Sequence, residues 1–260
     1  MKKTIFAISL VLGVTNVYAD KGNKDCNLIM DAIGGHAGLE TALKSSVFPS
    51  GGPSNGGLNF HMWGSVVATD GTVCAIARTG SSVNAQWLGS RVISAQKANT
   101  AVLFSTDSNG VGAPGFALST ANLMAATQPG GSLYGLQFSN PVDTGNAYDG
   151  KAKNFGTKKD PLVKQRVGGI NIFGGGLALY DSEGELVGAL GVSGDTSCAD
   201  HNVAWRTRES LGLGSANVPA GVGPGGKDGI NYIVGTLDGF EHVECGGGEK
   251  GVAIGIGAGA

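Results

Sequence analysis

Apolar positions along this chain of 260 residues follow two periods, helical in some stretches and strand-like in others. Leu28, Ile29, Ala32, Ile33, Leu39 and Leu43 recur at helical spacing and predict a first helix over Asp25–Ser46, weakened in its middle by Gly34-Gly35. A Pro/Gly/Ser/Asn linker follows over Phe48–Gly57. His61 to Ala68 and Thr72 to Arg78 are apolar runs separated by Thr69-Asp70-Gly71, and Asp-Gly between such runs predicts a hairpin within Leu58–Thr79. Val92, Ala95, Ala98 and Val102 form the inner stripe of a second helix over Arg91–Phe104, with Ser90 as its N-cap. A short helix is expected over Ser119–Thr127, and Gln128–Lys159 reads as a long polar loop, ordered for function or flexible.

The stretch from Gly168 to Gly212 is the organising centre. Leu177, Leu179 and Tyr180 run into the turn Asp181-Ser182-Glu183-Gly184, and Leu186 to Val192 resume the apolar run, which predicts a second hairpin. Ser197 with Asp200 opens a helix, and Gly212 closes it. Val218–Gly229 is a Gly/Pro loop, Ile230–Val234 an edge strand or a last helical turn, and Gly246–Ala260 a low-complexity tail expected to be disordered. Two hairpins, each followed by a helix, predict one α+β domain over residues 20–245, an antiparallel sheet flanked by helices.

Composition adds a compartment. Lys2 and Lys3, the apolar run Ile5–Val14 and Val17-Tyr18-Ala19 have the form of a secretory signal peptide over residues 1–19. That apolar run is too short to span a membrane, and no later segment reaches membrane-span length, so a periplasmic or secreted protein is expected. Cleavage removes two of the 18 basic residues and leaves 20 acidic ones, an acidic balance that argues against nucleic acid as a partner. The 47 glycines lack a triplet repeat, so they signal turns and close backbone approaches rather than a collagen-like chain. Four cysteines in an exported chain suggest disulfides. Of three possible pairings, Cys26–Cys74 with Cys198–Cys245 is favoured, because each ties a terminal segment to one half of the core. A metal site is the rival reading, but no Cys-x-x-Cys and no close Cys/His cluster stands in the sequence.

No catalytic motif survives inspection. Gly221 to Lys227 fits a phosphate-loop pattern, yet Asp228 stands where Ser or Thr should hold magnesium. Gly191-Val192-Ser193-Gly194 falls short of a nucleophile elbow because Asp195 replaces the final glycine. His201 shares a helix face with Cys198 and Trp205, which suits an iron ligand, a stacking group or a histidine packed under a disulfide. His61 opens a strand beside Trp63, as a ligand or a strand end, and His36 and His242 read as surface residues. Arg91, Lys97, Arg206 and Arg208 lie beside apolar helix faces, where they would receive carboxylates or simply face solvent.

Taken together, Met62-Trp63-Gly64-Ser65-Val66-Val67, Asp70-Gly71, Lys97-Ala98-Asn99-Thr100-Ala101, Gly174 to Leu179 and Leu186 to Gly194 resemble the GlcG/HbpS-like haem-binding family, over most of Leu58–Leu213. The resemblance implies a profilin- or PAS-like α+β domain, homo-oligomers, and non-covalent haem in some members. It nominates Lys97 and Thr100 as haem contacts; His201, His61 and Arg91 are added as candidate contacts on their local positions alone, with Thr100 or His201 facing the iron. No Cys-x-x-Cys-His is present for covalent attachment. The expectation is an exported module that traps, stores or senses haem without a catalytic residue; a haem-degrading enzyme and an oligomeric binding module for a small organic acid are the alternatives.

Overall fold

The computed structural model describes residues 26–107, 115–232 and 239–260. The expected signal peptide, residues 1–19, lies outside the described residues. Helices α1 (residues 26–32) and α2 (Gly35–Ser45) replace the single helix expected over Asp25–Ser46. Gly34 has φ 73°, a left-handed conformation that stops one helix and starts the next. Strands β1 (Trp63–Ala68) and β2 (Val73–Arg78) form the first hairpin. Asp70 holds its turn, accepting the backbone N–H of Thr72 at 2.9 Å. Helix α3 (Ser90–Leu103) begins one residue earlier than expected: Gly89 is already helical, so Ser90 lies inside the helix and caps nothing.

Strand β3 (Phe116–Ala117) leads to a 3₁₀ turn capped by Ser119 and Asn122, then to the short helix α4 (Met124–Thr127). The long loop over 128–159 is ordered by two one-turn helices, α5 (Leu136–Ser139) and α6 (Thr144–Ala147). Strands β4 (Gly176–Tyr180) and β5 (Leu186–Ser193) form the second hairpin, and α7 (Ser197–Ser210) follows. The cap of α7 is Thr196, whose side chain accepts from the Ala199 N–H, rather than Ser197. Strand β6 (Ala220–Gly221) pairs parallel with β3. Of the expected strand or turn over residues 230–234, residues 233 and 234 lie outside the described residues, and Ile230 and Tyr232 make isolated parallel bridges to Gly259 and His242.

The main sheet has the order β2-β1-β5-β4, antiparallel throughout. The two hairpins join through β1 and β5, Trp63 opposite Ser193 and Val67 opposite Ala189. Val66, Leu177, Leu190 and Val192 face α1, α2 and α7, whereas Trp63, Val67, Ile76 and Ala189 face α3. Every residue of β1 is buried, because helices cover both sides of the sheet. The α+β domain expected from the sequence is therefore a three-layer sandwich of helix, sheet and helix.

Helix α3 lies unusually close to the sheet. A Cβ on Gly191 would sit 1.9 Å from the Ser94 carbonyl oxygen and 2.6 Å from the Ala98 nitrogen, and one on Gly176 would sit 2.5 Å from the Lys97 carbonyl oxygen. Two disulfides brace the other layer. Cys26–Cys74 ties α1 to β2 with Cα atoms 5.2 Å apart, and Cys198–Cys245 ties α7 to the C-terminal segment at 6.1 Å. Closing loops of 48 and 47 residues stabilises the fold by about 4 kcal/mol each in the chain-entropy account.

The C-terminal tail, expected to be disordered, instead forms helix α8 (Glu249–Ile256). Glu249 is buried: one carboxylate oxygen accepts from the Thr196 hydroxyl and the other from the Gly247 N–H, both at 2.7 Å. Ala253 and Ala258 enter the main core, and Ile230 donates its N–H to the Ala258 carbonyl at 2.8 Å. Small side chains that read as low complexity here allow a close-packed terminal segment.

Gly191→Ala is expected to cost more than about 3 kcal/mol or to prevent folding, since the methyl must displace helix backbone. Gly251→Ala, on the exposed side of α8 with nothing within 4 Å, is expected to gain up to about 1 kcal/mol. Thermal unfolding of both variants checks the pair; a Gly191→Ala protein as stable as the parent would remove the close approach as a constraint.

Candidate functional site

The residues nominated by sequence do not converge on one cavity. Lys97 is fully buried, and its ammonium donates to Asp200 Oδ2 at 2.6 Å and to the Val192 carbonyl at 3.0 Å. Asp200 also accepts the Asp195 N–H at 2.8 Å. Burial pushes the Asp200 carboxyl up to about 6 against the pull of Lys97, and burial lowers Lys97. Thr100 donates to the Gln96 carbonyl at 2.8 Å and accepts the Asn171 N–H at 2.9 Å. Arg91 grips Asp160 with two N–H groups, donates to the Ala147 carbonyl at 3.0 Å and lies over the Phe155 ring at 3.8 Å. Arg208 is likewise paired with Asp228, at 2.6 Å, beneath the surface. None of these three cations faces solvent from a helix surface, and none is free to receive a ligand carboxylate.

His201 is fully buried beside Trp205. Its Nε2 lies 3.1 Å from the Ala258 carbonyl and 3.2 Å from the Ile230 N–H, donating to the first or accepting from the second according to tautomer, and Nδ1 has no partner among the described residues. In this conformation neither His201 nor Thr100 reaches solvent, and either would meet iron only after the core opened. His61 is half-buried, with Nδ1 2.8 Å from the Thr79 hydroxyl. His242, read from sequence as a surface residue, is buried. Its Nδ1 lies 2.6 Å from the Val243 carbonyl and Nε2 accepts the Ser197 hydroxyl at 2.7 Å. Cys198, His242 and Cys245 bring three ligand atoms within 4.8 Å of one another. That is a close Cys/His cluster, marked in the sequence by His242-x-x-Cys245, but the disulfide engages both sulfurs. Ser197 and His242 have the contact of a nucleophile and base, yet no described cleft is lined by either.

Two clefts are relevant to a flat ligand. The larger, about 650 Å³, lies between α1 and the segment Val163–Arg166, with Met30, Val73, Val163 and the Cys26–Cys74 disulfide in its walls. It contains none of the nominated residues; of its two cations, Lys164 and Arg166, the second is paired with Asp70. The smaller, about 280 Å³, lies at the start of α3 between Val83, Leu88, Val92, Tyr148, Ala152 and Phe155, with Arg91 in its wall. Leu88 is 59% and Tyr148 66% exposed, and the neighbouring Trp87 packs edge-on against Phe60. Arg91 is thus the one nominated residue that lines this cleft. Sequence reading missed Tyr148 and Phe155 because they stand in a polar loop without periodicity; aromatic residues there were the available signal.

The state of His201 has a measurable consequence. Burial lowers its pKa to about 3, Asp228 opposing and Arg208 and His242 adding to the effect. The unfolded chain takes up this proton near the ordinary value of 6.5, and the folded chain does so only near 3. Stability from this group is therefore present above pH 6.5 and is lost as pH falls toward 3. His201→Gln is expected to be less stable at neutral pH and to lose less further stability over that window, as read from denaturant unfolding at a series of pH values. An unchanged slope would contradict a buried neutral imidazole.

Residues 58–208 match the family model described as "Haem degrading protein HbpS-like". No curated protein matches the chain. Among solved structures, the Klebsiella pneumoniae protein ORFY is 20% identical, with 80% of this chain and 98% of that one covered at a TM-score of 0.42. A PduOC:heme complex is 23% identical, covering 68% and 91% at 0.43. HbpS is 12% identical, covering 80% and 99% at 0.31. The family model spans more than half of the chain and takes in both hairpins, α3 and most of α7, and on that match this protein belongs to the HbpS-like haem-degrading protein family.

Proposed function

We propose that this protein is an exported module that binds haem non-covalently, to trap, store or sense it, and that the porphyrin enters the apolar cleft at the start of α3. Family membership supports haem as the ligand class. The observation that carries the position is the concentration of exposed apolar side chains there, Trp87, Leu88 and Tyr148 beside a cleft walled by Val83, Val92 and Phe155. Haem needs flat apolar walls, a side chain for the iron and cations for its propionates. The walls and the Tyr148 phenol meet the first two needs. Arg91 does not meet the third, because its charge is committed to Asp160. At about 280 Å³ the cleft is just below the usual range for ligand sites of about 300–1,000 Å³, so it takes one edge of the ring. The signal-peptide reading of residues 1–19 and the two disulfides support an oxidising compartment outside the cytoplasm.

A haem titration of the chain from Asp20, followed in the Soret region, tests this. Saturable binding is expected. Leu88→Ala should weaken it roughly 5- to 30-fold, the effect of about 1–2 kcal/mol of apolar contact. Tyr148→Phe should keep most of the affinity and change the spectrum. Thr100→Ala and His201→Ala should leave both unchanged; loss of the iron signal in either would move the site into the core. Steady disappearance of the Soret band with a reductant and oxygen would assign degradation in place of storage.

A further inference from the structure

A third cleft lies across the segments 80–84 and 155–157 from the apolar one at the start of α3. It is about 530 Å³ and runs between α2, the end of β2 and the turn Gly156-Thr157-Lys158. Its walls carry Arg78, Lys44, Lys158 and His36 against one carboxylate, Glu40. Lys44 is paired with Glu40 at 2.6 Å, and the His36 ring lies 3.0 Å from the Ile76 carbonyl. Arg78 and Lys158 are left as the cations without an acceptor among the described residues.

Arg78 is the decisive residue. It is half-buried, yet its guanidinium makes no hydrogen bond or ion pair among the described residues, and Nη1 is shielded from water without a partner. Among the described residues, the fully buried cations Arg91, Lys97 and Arg208 each have a carboxylate, and the half-buried Arg206 and Lys227 donate to the Asn55 side-chain oxygen and the Val218 carbonyl. Shielded N–H groups without acceptors are costly and rare. The stem of Arg78 is also confined: a Cβ on Gly156 would meet its Cγ and Cδ at 2.8 and 2.9 Å and the Trp63 ring at 2.9 Å. The glycine, at φ 72°, lets the arginine stem pass between turn and indole. A confined guanidinium loses little further entropy on binding, and the edge of it that lines the cleft offers N–H groups to an oxyanion.

We propose that this cleft is an oxyanion site, in which Arg78 and Lys158 hold a carboxylate or phosphate group of a small soluble polyanion. Recognition is by charge and by the two-oxygen edge that both groups share. The site is separate from the haem reading and uses none of its residues.

Calorimetric titration of the full mature chain without haem, with inorganic phosphate and with citrate at matched chloride ionic strength, tests it. Saturable binding of at least one anion is expected, and the anion that binds identifies the group. Arg78→Gln should weaken it about tenfold or more and Lys158→Gln several-fold, in line with the loss of charge-assisted hydrogen bonds. Lys158 is exposed, so its variant reads the site without disturbing the core. Binding of neither anion to the parent chain, or binding unchanged in both variants, overturns the proposal.

Discussion

The contact on which this structure depends is the seating of α3 on the sheet through two missing side chains. Gly191 and Gly176 let the backbone of Ser94 to Ala98 approach strand backbone to within the space of a methyl group. Dispersion and burial at this seam come from Ala95, Ala98, Val67 and Ala189, small groups that fit only at that separation. The same closeness carries the Lys97 ammonium past β5 to the Val192 carbonyl and to Asp200 at the start of α7. Two of the segments that carry the family resemblance, Lys97 to Ala101 and Leu186 to Gly194, are the two sides of this seam. Their residue types are explained by packing, before any ligand is considered.

Buried ion pairs then place the rest. Arg91–Asp160 fastens the long segment after α6 to α3, and the Gly156 N–H adds a bond to the same carboxylate at 2.7 Å. Lys97–Asp200 joins helices from opposite faces of the sheet, and Arg208–Asp228 fixes the Gly/Pro loop that sequence likened to a phosphate site. Desolvation makes such pairs weak sources of net stability, while loss of one partner is expensive. Their effect here is positional, since each joins segments 20 to 103 residues apart in the chain.

How much of this was legible in the sequence follows from the range of the interactions. The hairpins were legible because Asp70-Gly71 and Asp181 to Gly184 encode their turns within a few residues. The core helices were legible from their apolar stripes. The partners of the buried cations were not, since Lys97 and Asp200 stand 103 residues apart and Arg91 and Asp160 stand 69 apart. A basic residue beside an apolar stripe looks the same whether it faces water or a distant carboxylate. The tail was misread for a related reason. Composition reports side-chain content, whereas α8 is held by Glu249, by Ala253 in the core and by backbone bonds at Ala258.

The division between frame and sites explains why the nominated residues and the clefts part company. Among the described residues both faces of the sheet are covered by helices, and none of the three clefts is lined by β1, β4 or β5. Recognition must therefore be built on what is laid over the frame. The segment from Tyr148 to Lys158 is such an addition: it supplies Tyr148 and Phe155 to one cleft and Gly156 and Lys158 to the next. Asp160, at its end, commits Arg91 to holding the segment in place, which removes that arginine from ligand binding. Arg78, on the strand beneath, has no such duty, and it is there that a charge remains to be answered.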